Sequence, residues 1–121
     1  MASRPQYRGS RFEREVADYL AASGFEFADR KVRTEAKDTG DIAGIRNWTL
    51  ELKAPGKDRP LNLSQAMNEA KVEAANAKTA WYAAIVNRWG KGVAESYVVM
   101  PLGLWVPLVH KSGSTDRPFD H

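Results

Sequence analysis

The sequence predicts an α/β protein in which a central mixed β-sheet is flanked by helices. Two segments repeat apolar or small residues at helical spacing, one opening at Ser10 and the other at Ser64. Between and after them, short apolar or alternating runs bounded by glycine, proline and asparagine predict strands. The predicted element order is α-β-β-β-α-β-β, and such alternation of helices and strands is typical of the α/β class.

Length and composition fit one domain. The chain has 121 residues, of which 43% are hydrophobic and 27% charged, so it can bury one core and is not a disordered polyelectrolyte. We predict a flexible basic arm at residues 1–9, a single domain at residues 10–111 and a mobile tail at residues 112–121. The chain has no cysteine, which excludes disulfides and cysteine-based zinc sites and fits an intracellular location. No apolar stretch approaches the roughly 20 residues that span a bilayer, so we expect no membrane association.

The first helix is predicted from Ser10, because Phe12, Val16 and Leu20 recur at helical spacing, and Gly24 ends it. The other predicted elements are strands at 25–34, 40–44 and 48–53, a helix from Ser64 as its cap to about residue 78, strands at 81–87 and 93–100 around a turn at 88–92, and a short element at 101–110. The second helix is rich in alanine, which permits close packing on a sheet.

The most informative segment is the hairpin predicted from strands 40–44 and 48–53. With Arg46 at the centre of the turn, Asp41 lies opposite Glu51. Because strand side chains alternate between faces, Lys53 joins the two acids on one side of the sheet. The apolar residues expected on the other, core-facing side are Ile42, Leu50 and Leu52.

Two carboxylates beside a lysine can hold a divalent metal against a phosphodiester. Mg²⁺ and Mn²⁺ prefer carboxylate oxygens, which Asp41 and Glu51 supply, and the bound ion activates water. Lys53 would then orient that water or stabilise negative charge in the transition state. The competing interpretation is an ordinary cross-strand salt bridge on an exposed face. The Gly-Asp-Ile run at 40–42 and the apolar alternate face favour catalysis, so a nuclease is the leading hypothesis.

Two further residues have two interpretations each. Glu13 either closes a capping box with Ser10 or adds a carboxylate to the metal site. Gln65 either hydrogen-bonds a metal-bound water or DNA, or is a polar residue in the first turn of its helix.

The net charge of +3 is unevenly distributed, because arginines crowd the N-terminus at positions 4, 8, 11 and 14 and a second basic cluster lies within residues 30–37. Such clusters are compatible with phosphate binding, and a solvated surface is an equal alternative. The candidate DNA-binding residues are Arg8, Arg11, Arg14, Lys57, Arg59 and Gln65.

The run of residues 8–15, Arg-Gly-Ser-Arg-Phe-Glu-Arg-Glu, resembles the opening of archaeal-type Holliday junction resolvases. Gly40-Asp41-Ile42 and Glu51-Leu52-Lys53 resemble the core motif of the PD-(D/E)xK nuclease superfamily, to which those resolvases belong. The chain is also similar to small resolvase-like proteins of actinobacterial phages. The motifs cover roughly residues 8–65.

This resemblance implies a restriction-endonuclease-like fold, a homodimer, Mg²⁺ dependence with Mn²⁺ as a substitute, and nicking of four-way DNA junctions. It implies Glu13, Asp41, Glu51 and Lys53 as the catalytic set, with Asp41, Glu51 and Glu13 on the metal. Gly40 stands where the superfamily usually has proline, and residues 55–65 are also similar to virus-type replication-repair nucleases. A nuclease for other branched, nicked or single-stranded DNA, and a non-catalytic DNA-binding module, therefore remain alternatives.

Overall fold

The computed structural model describes the backbone of residues 4–31 and 38–113, and the side chains of residues 9–31 and 38–113. The helices and strands, in chain order, are α1 (Arg4–Ala22), β1 (Asp29–Arg30), β2 (Ile42–Ala43), β3 (Trp48–Lys53), α2 (Leu63–Ala77), β4 (Trp81–Val86), a 3₁₀ turn (Val93–Glu95), β5 (Tyr97–Val99) and α3 (Leu102–Lys111). The protein is therefore of the α/β class. Within the described residues, no helix combines the length and apolar character needed to cross a membrane.

The strands form two small sheets in place of the single central sheet that we predicted. The larger has the order β3-β4-β5, with β3 parallel to β4 and β4 antiparallel to β5. The smaller is an antiparallel pair of β1 and β2, in which Arg30 lies opposite Ile42. Parallel neighbours need a long crossover, and α2 provides it between β3 and β4.

Helices α1 and α2 cover opposite faces of the larger sheet. On β4, Ala83 and Ile85 join the core cluster that contains the α1 residues Phe12 and Val16. The residue between them, Ala84, packs with Ala66 of α2. Because strand side chains alternate between faces, each helix buries its own side of the sheet.

Strand β3 divides its side chains as the sequence predicted. Leu50 is buried in the α1 cluster and Leu52 packs against it. Glu51 and Lys53 contact glutamates of α2 and so lie on the other face. The face of α2 toward the sheet carries small residues, Ala66, Ala70 and Ala74, which lets the helix approach closely.

The predicted hairpin is wrong, because β2 pairs with β1 and β3 pairs with β4. The expected turn does occur, with Asn47 in the left-handed region at φ 65°. What joins the two segments is one backbone bond, from Asp41 N to Leu50 O at 2.9 Å, and one bond to a side chain. Gly40, at φ 103°, turns the chain before Asp41, so a regular ladder does not start there.

Helix α1 begins at Arg4, not at Ser10 as predicted, so residues 4–9 of the expected arm are helical. Ser10 lies inside the helix, and the capping-box interpretation of Glu13 is therefore wrong. The prediction placed the start of the helix where the apolar helical pattern begins, after Ser10. Residues 4–9 are helical but lack an apolar stripe, so this pattern did not indicate them. Residues 1–3 of the arm lie outside the described part of the chain.

Three other predicted boundaries differ. The strand expected at 25–34 is reduced to β1, since a turn precedes it in which Ala28 N donates to Phe25 O at 2.8 Å, and residues 32–37 lie outside the description. Asn62, not Ser64, caps α2, because its Oδ1 accepts from Gln65 N at 3.0 Å. The strand expected at 93–100 begins only after the 3₁₀ turn.

The short final element is α3, and most of the expected tail, residues 114–121, is not described.

The loop after β2 approaches the segment before β1 at Gly44. Its φ is 90°, and a Cβ there would lie 2.0 Å from the carbonyl oxygen of Phe27. We expect Gly44→Ala to destabilise the fold by about 2 kcal/mol or more, from a strained backbone and a clash with main-chain atoms. Urea denaturation measures this. Gly103→Ala is the control, since no atom lies within 4 Å of its Cβ position, and an equal loss in both variants would contradict the argument.

Candidate active site

Asp41 is held against the edge of β3 by two hydrogen bonds. Its backbone N–H donates to Leu50 O at 2.9 Å, and its carboxylate Oδ2 accepts from Leu52 N at 2.8 Å. The Asp41 side chain thus accepts the hydrogen bond from Leu52 N–H that the carbonyl group of a neighbouring strand would accept in a larger sheet. These two bonds lie on either side of Glu51, so they bring the carboxyl groups of Asp41 and Glu51 together. The sequence predicted this contact, but from a β-hairpin that does not form.

Gly40 makes this approach possible. A Cβ at this position would lie 2.9 Å from Cγ2 of Thr49 and 3.3 Å from Leu50 O. Proline holds φ near about −65°, which is incompatible with the φ of 103° observed here. The local backbone therefore accounts for glycine where the resembled superfamily usually has proline.

Glu51 is a buried acid without a complete set of partners. Its Oε1 receives no hydrogen bond, and Oε2 lies 3.3 Å from Lys53 Nζ. Burial, followed by the hydrogen bonding and charge of Asp41 and then of Glu73, raises the pKa of Glu51 from 4.5 to about 9. Since carboxylates lack donors when ionised, these contacts require a shared proton or a cation.

Lys53 bridges the sheet and α2. Its Nζ donates to Glu69 Oε1 at 2.6 Å and lies 3.3 Å from Glu51 Oε2. Burial acts to lower the pKa of Lys53, but the hydrogen bond to Glu69 and the charge of Glu51 outweigh it and raise that pKa above 10.5. Lys53 therefore carries its positive charge at neutral pH, beside the acids.

Glu73 of α2 is a member of the cluster that the sequence analysis missed. It is 4% exposed, and its Oε1 has no hydrogen-bond partner. Burial and the charges of Asp38 and Asp41 raise the pKa of Glu73 to about 7, against a hydrogen bond with Glu51 that lowers it. Its position on the alanine stripe of α2 was a usable signal, since an acid there must face the sheet.

The acids suit a divalent cation. Buried carboxylate oxygens without donors are costly unless a proton or a cation neutralises them, and oxygen ligands are those that Mg²⁺ and Mn²⁺ prefer. Across residues 9–31 and 38–113, no three acidic or histidine side chains form a preassembled metal site. Mg²⁺ is commonly held by one or two carboxylates with water and substrate phosphate, so Asp41 and Glu51 are the pair that fits.

Glu13 forms an ion pair with Arg30, whose Nη2 lies 3.4 Å from its Oε1. Arg30 lies opposite Ile42 in the smaller sheet, and Ile42 directly follows Asp41 in the chain. The ion pair of Glu13 with Arg30 therefore lies near the segment that carries Asp41. The carboxylates that act on Glu51 are Asp41 and Glu73. The assignment of Glu13 as a metal ligand stays a prediction.

The basic candidates lie at the surface. Arg11 pairs with Glu15 at 3.5 Å, Arg14 lies 4.0 Å from Asp29, and the side chain of Arg8 is outside the described part. Lys57 and Arg59 are exposed in the loop after β3. Their exposure is compatible with phosphate contacts, although Arg11 and Arg14 belong to the helix on the opposite face of the sheet from the acidic cluster.

A cleft of about 570 Å³ lies along α2 and reaches Glu73 of the acidic cluster. Gln65 lines it together with Glu69, Glu73 and, from the opposite side, Asp38. Gln65 therefore lies where a ligand entering toward Glu73 would pass.

No protein-family model, curated protein or solved structure matches this chain.

The paired acids predict an unusual pH dependence in the presence of a chelator. Folding raises the pKa of Glu51 and Glu73 from 4.5 to about 9 and about 7, so the folded chain binds protons more tightly than the unfolded chain. The resulting stability is full below about pH 4.5 and is lost as the pH rises through 7 and 9. We expect the free energy of unfolding, from urea titrations in EDTA, to fall across this range.

Glu51→Gln should flatten this fall, because the amide cannot ionise. Glu95→Gln is the matched control, since Glu95 is exposed and pairs with Arg88 away from the cluster. A wild-type profile that rises from pH 5 to 9, or an unchanged slope in Glu51→Gln, would contradict the interpretation.

Proposed function

We propose that the chain is a metal-dependent endonuclease that hydrolyses DNA phosphodiesters on a restriction-endonuclease-like PD-(D/E)xK core. The observation that carries this proposal is the contact of Asp41 with Glu51, whose buried Oε1 has no donor, and a charged Lys53 3.3 Å from Glu51. A salt bridge alone does not account for the site, because Lys53 is shared with Glu69 and leaves acid in excess. Such an excess of buried acid is the arrangement that a cation would stabilise.

In this mechanism Asp41 and Glu51 hold the cation at the edge of β3. Bound Mg²⁺ or Mn²⁺ supplies an acidified water ligand and offsets negative charge on the phosphate. Leu52 N–H keeps the Asp41 carboxylate in place through the 2.8 Å bond, beside the carboxyl group of Glu51. Lys53 donates from the same face and stabilises the additional negative charge of the transition state.

The proposed substrate is a four-way DNA junction. Support comes from the likeness of residues 8–15 to the opening of junction resolvases and from the arginines that α1 displays at the surface, Arg11 and Arg14. A two-fold symmetric junction needs two active sites, so the proposed assembly is a homodimer.

The surface that we propose for the dimer contact comprises β5 and α3. Strand β5 is at the edge of the larger sheet, and α3 is apolar yet buries none of its residues. Val98 is 63% exposed, Leu102 72% and Trp105 49%. Contiguous exposed apolar side chains beside an open strand edge are typical of interaction surfaces. A second copy of the chain would pair with the edge of β5 and cover the apolar side chains of α3 in a symmetric contact.

The chemistry is tested by Asp41→Asn on a panel of four-way junction, linear duplex, flap and single strand in Mg²⁺ and Mn²⁺. Asparagine keeps an oxygen for Leu52 N–H, so the fold should persist, while cleavage should fall at least about a hundredfold. DNA binding should be retained or become tighter, because an anion near the phosphate is removed.

Glu95→Gln should cleave as the wild type does. Equal or better cleavage of linear forms would redirect the proposal to other branched, nicked or single-stranded DNA. Absence of metal-dependent cleavage in the wild type, with unchanged DNA binding in Asp41→Asn, would instead indicate a non-catalytic binding module.

The dimer surface is tested with Trp105→Glu, which places a charge on the exposed apolar side of α3. Light scattering at micromolar concentration should show a dimer for the wild type and a monomer for the variant. The helical signal in circular dichroism should be retained, since Trp105 is about half exposed. A monomeric wild type would contradict the dimer, and a dimeric variant would contradict this surface.

A further inference from the structure

Helix α2 buries an acid at a position where an apolar residue would serve the fold better. The residues of α2 that face the sheet are Ala66, Ala70, Glu73 and Ala74, spaced as one helical stripe. Glu73 is 4% exposed and is the one acid on this stripe of alanines. Burial of a carboxyl group that has one oxygen without a donor is unfavourable, so packing alone does not explain this glutamate.

Two acids of the cluster each have a buried oxygen without a hydrogen-bond donor. Glu73 and Glu51, both more than nine-tenths buried, each have an Oε1 atom that no donor reaches. The two side chains contact each other, and the charge of Asp41 acts on both. The lysine of the cluster, Lys53, lies on Glu69 and on the other oxygen of Glu51. Two side chains that contact each other thus each keep a buried oxygen without a donor, and Lys53 does not reach either of those two oxygens.

We propose that Glu73 is a third carboxylate ligand of the cation held by Asp41 and Glu51. This inference rests on the cation of the proposed function, and it does not depend on which substrate is cleaved. The side chain of Glu73 comes from α2 and those of the other two ligands from the edge of β3, so the cation would join the helix to the sheet. Because the described acids are not preassembled around one point, binding would draw the three carboxylates together and displace the proton that they otherwise share.

Glu73 also lines the cleft along α2, on which Asp38 and Gln65 lie. A cation at Glu73 is therefore accessible from solvent through that cleft, although the carboxylate itself is buried. The alternative is that Glu73 only shares a proton with Glu51 and positions it. These two roles differ in one measurable property, the affinity for a metal ion in the absence of DNA.

The test is Mn²⁺ binding to the intact, chelator-stripped chain at pH 8, measured by titration calorimetry and by electron paramagnetic resonance of free Mn²⁺. Glu73→Gln should weaken Mn²⁺ binding at least about tenfold, and Asp41→Asn should weaken it likewise. Glu95→Gln should bind as the wild type does, because its side chain is exposed and remote from the cluster. Urea unfolding in EDTA should show Glu73→Gln to be at least as stable as the wild type, since a buried acid has been removed.

Wild-type Mn²⁺ affinity in Glu73→Gln, with affinity lost in Asp41→Asn, would overturn this inference and leave the proposed nuclease intact. Weakened binding in both variants together with a wild type that cuts no DNA would support the inference and overturn the nuclease. A wild type that binds no Mn²⁺ would overturn the inference itself. Glu73→Leu, which suits the alanine stripe, provides the same readout should the glutamine variant fail to fold.

Discussion

The site depends on the attachment of Asp41 to the edge of β3. One bond joins its backbone to Leu50 and another joins its carboxylate to the N–H of Leu52, at 2.9 and 2.8 Å. Gly40 permits the contact because its positive φ and missing side chain let the loop lie against the strand. Without that attachment, Glu51 would have a lysine beside it and no neighbouring acid from the loop. The metal-binding character that we propose therefore arises from a loop docked on a strand edge.

The second constraint is electrostatic. The space between β3 and α2 holds more carboxylates than cations, and burial prevents water from compensating fully. In the chain without a cation, this imbalance appears as raised pKa values for Glu51 and Glu73. Such a cluster opposes folding at alkaline pH, so folding stability does not account for its presence. The same reasoning explains why Lys53 remains charged although burial alone would favour its neutral form.

The larger sheet separates these polar groups from the apolar cluster under α1. The α1 face of β3 carries Leu50 and Leu52, while the α2 face carries Glu51 and Lys53. A packed α1 side determines the orientation of the strand, because reversing the faces would bury charge and expose leucine. The core thus sets the direction in which the candidate catalytic side chains point, without contacting them.

The sequence by itself determined which side chains of β3 share a face, because alternation along a strand is a local property. It also indicated the α2 helix within residues 63–77, the β4 strand and the meeting of Asp41 with Glu51. Only the tertiary structure decided that β3 pairs in parallel with β4, and not with the nearby β2, since strand pairing depends on contacts between distant segments. It likewise brought Glu69 and Glu73 to the site. Their arrival depends on how α2 is rotated against the sheet, and helical periodicity alone does not specify which strand a given face will meet.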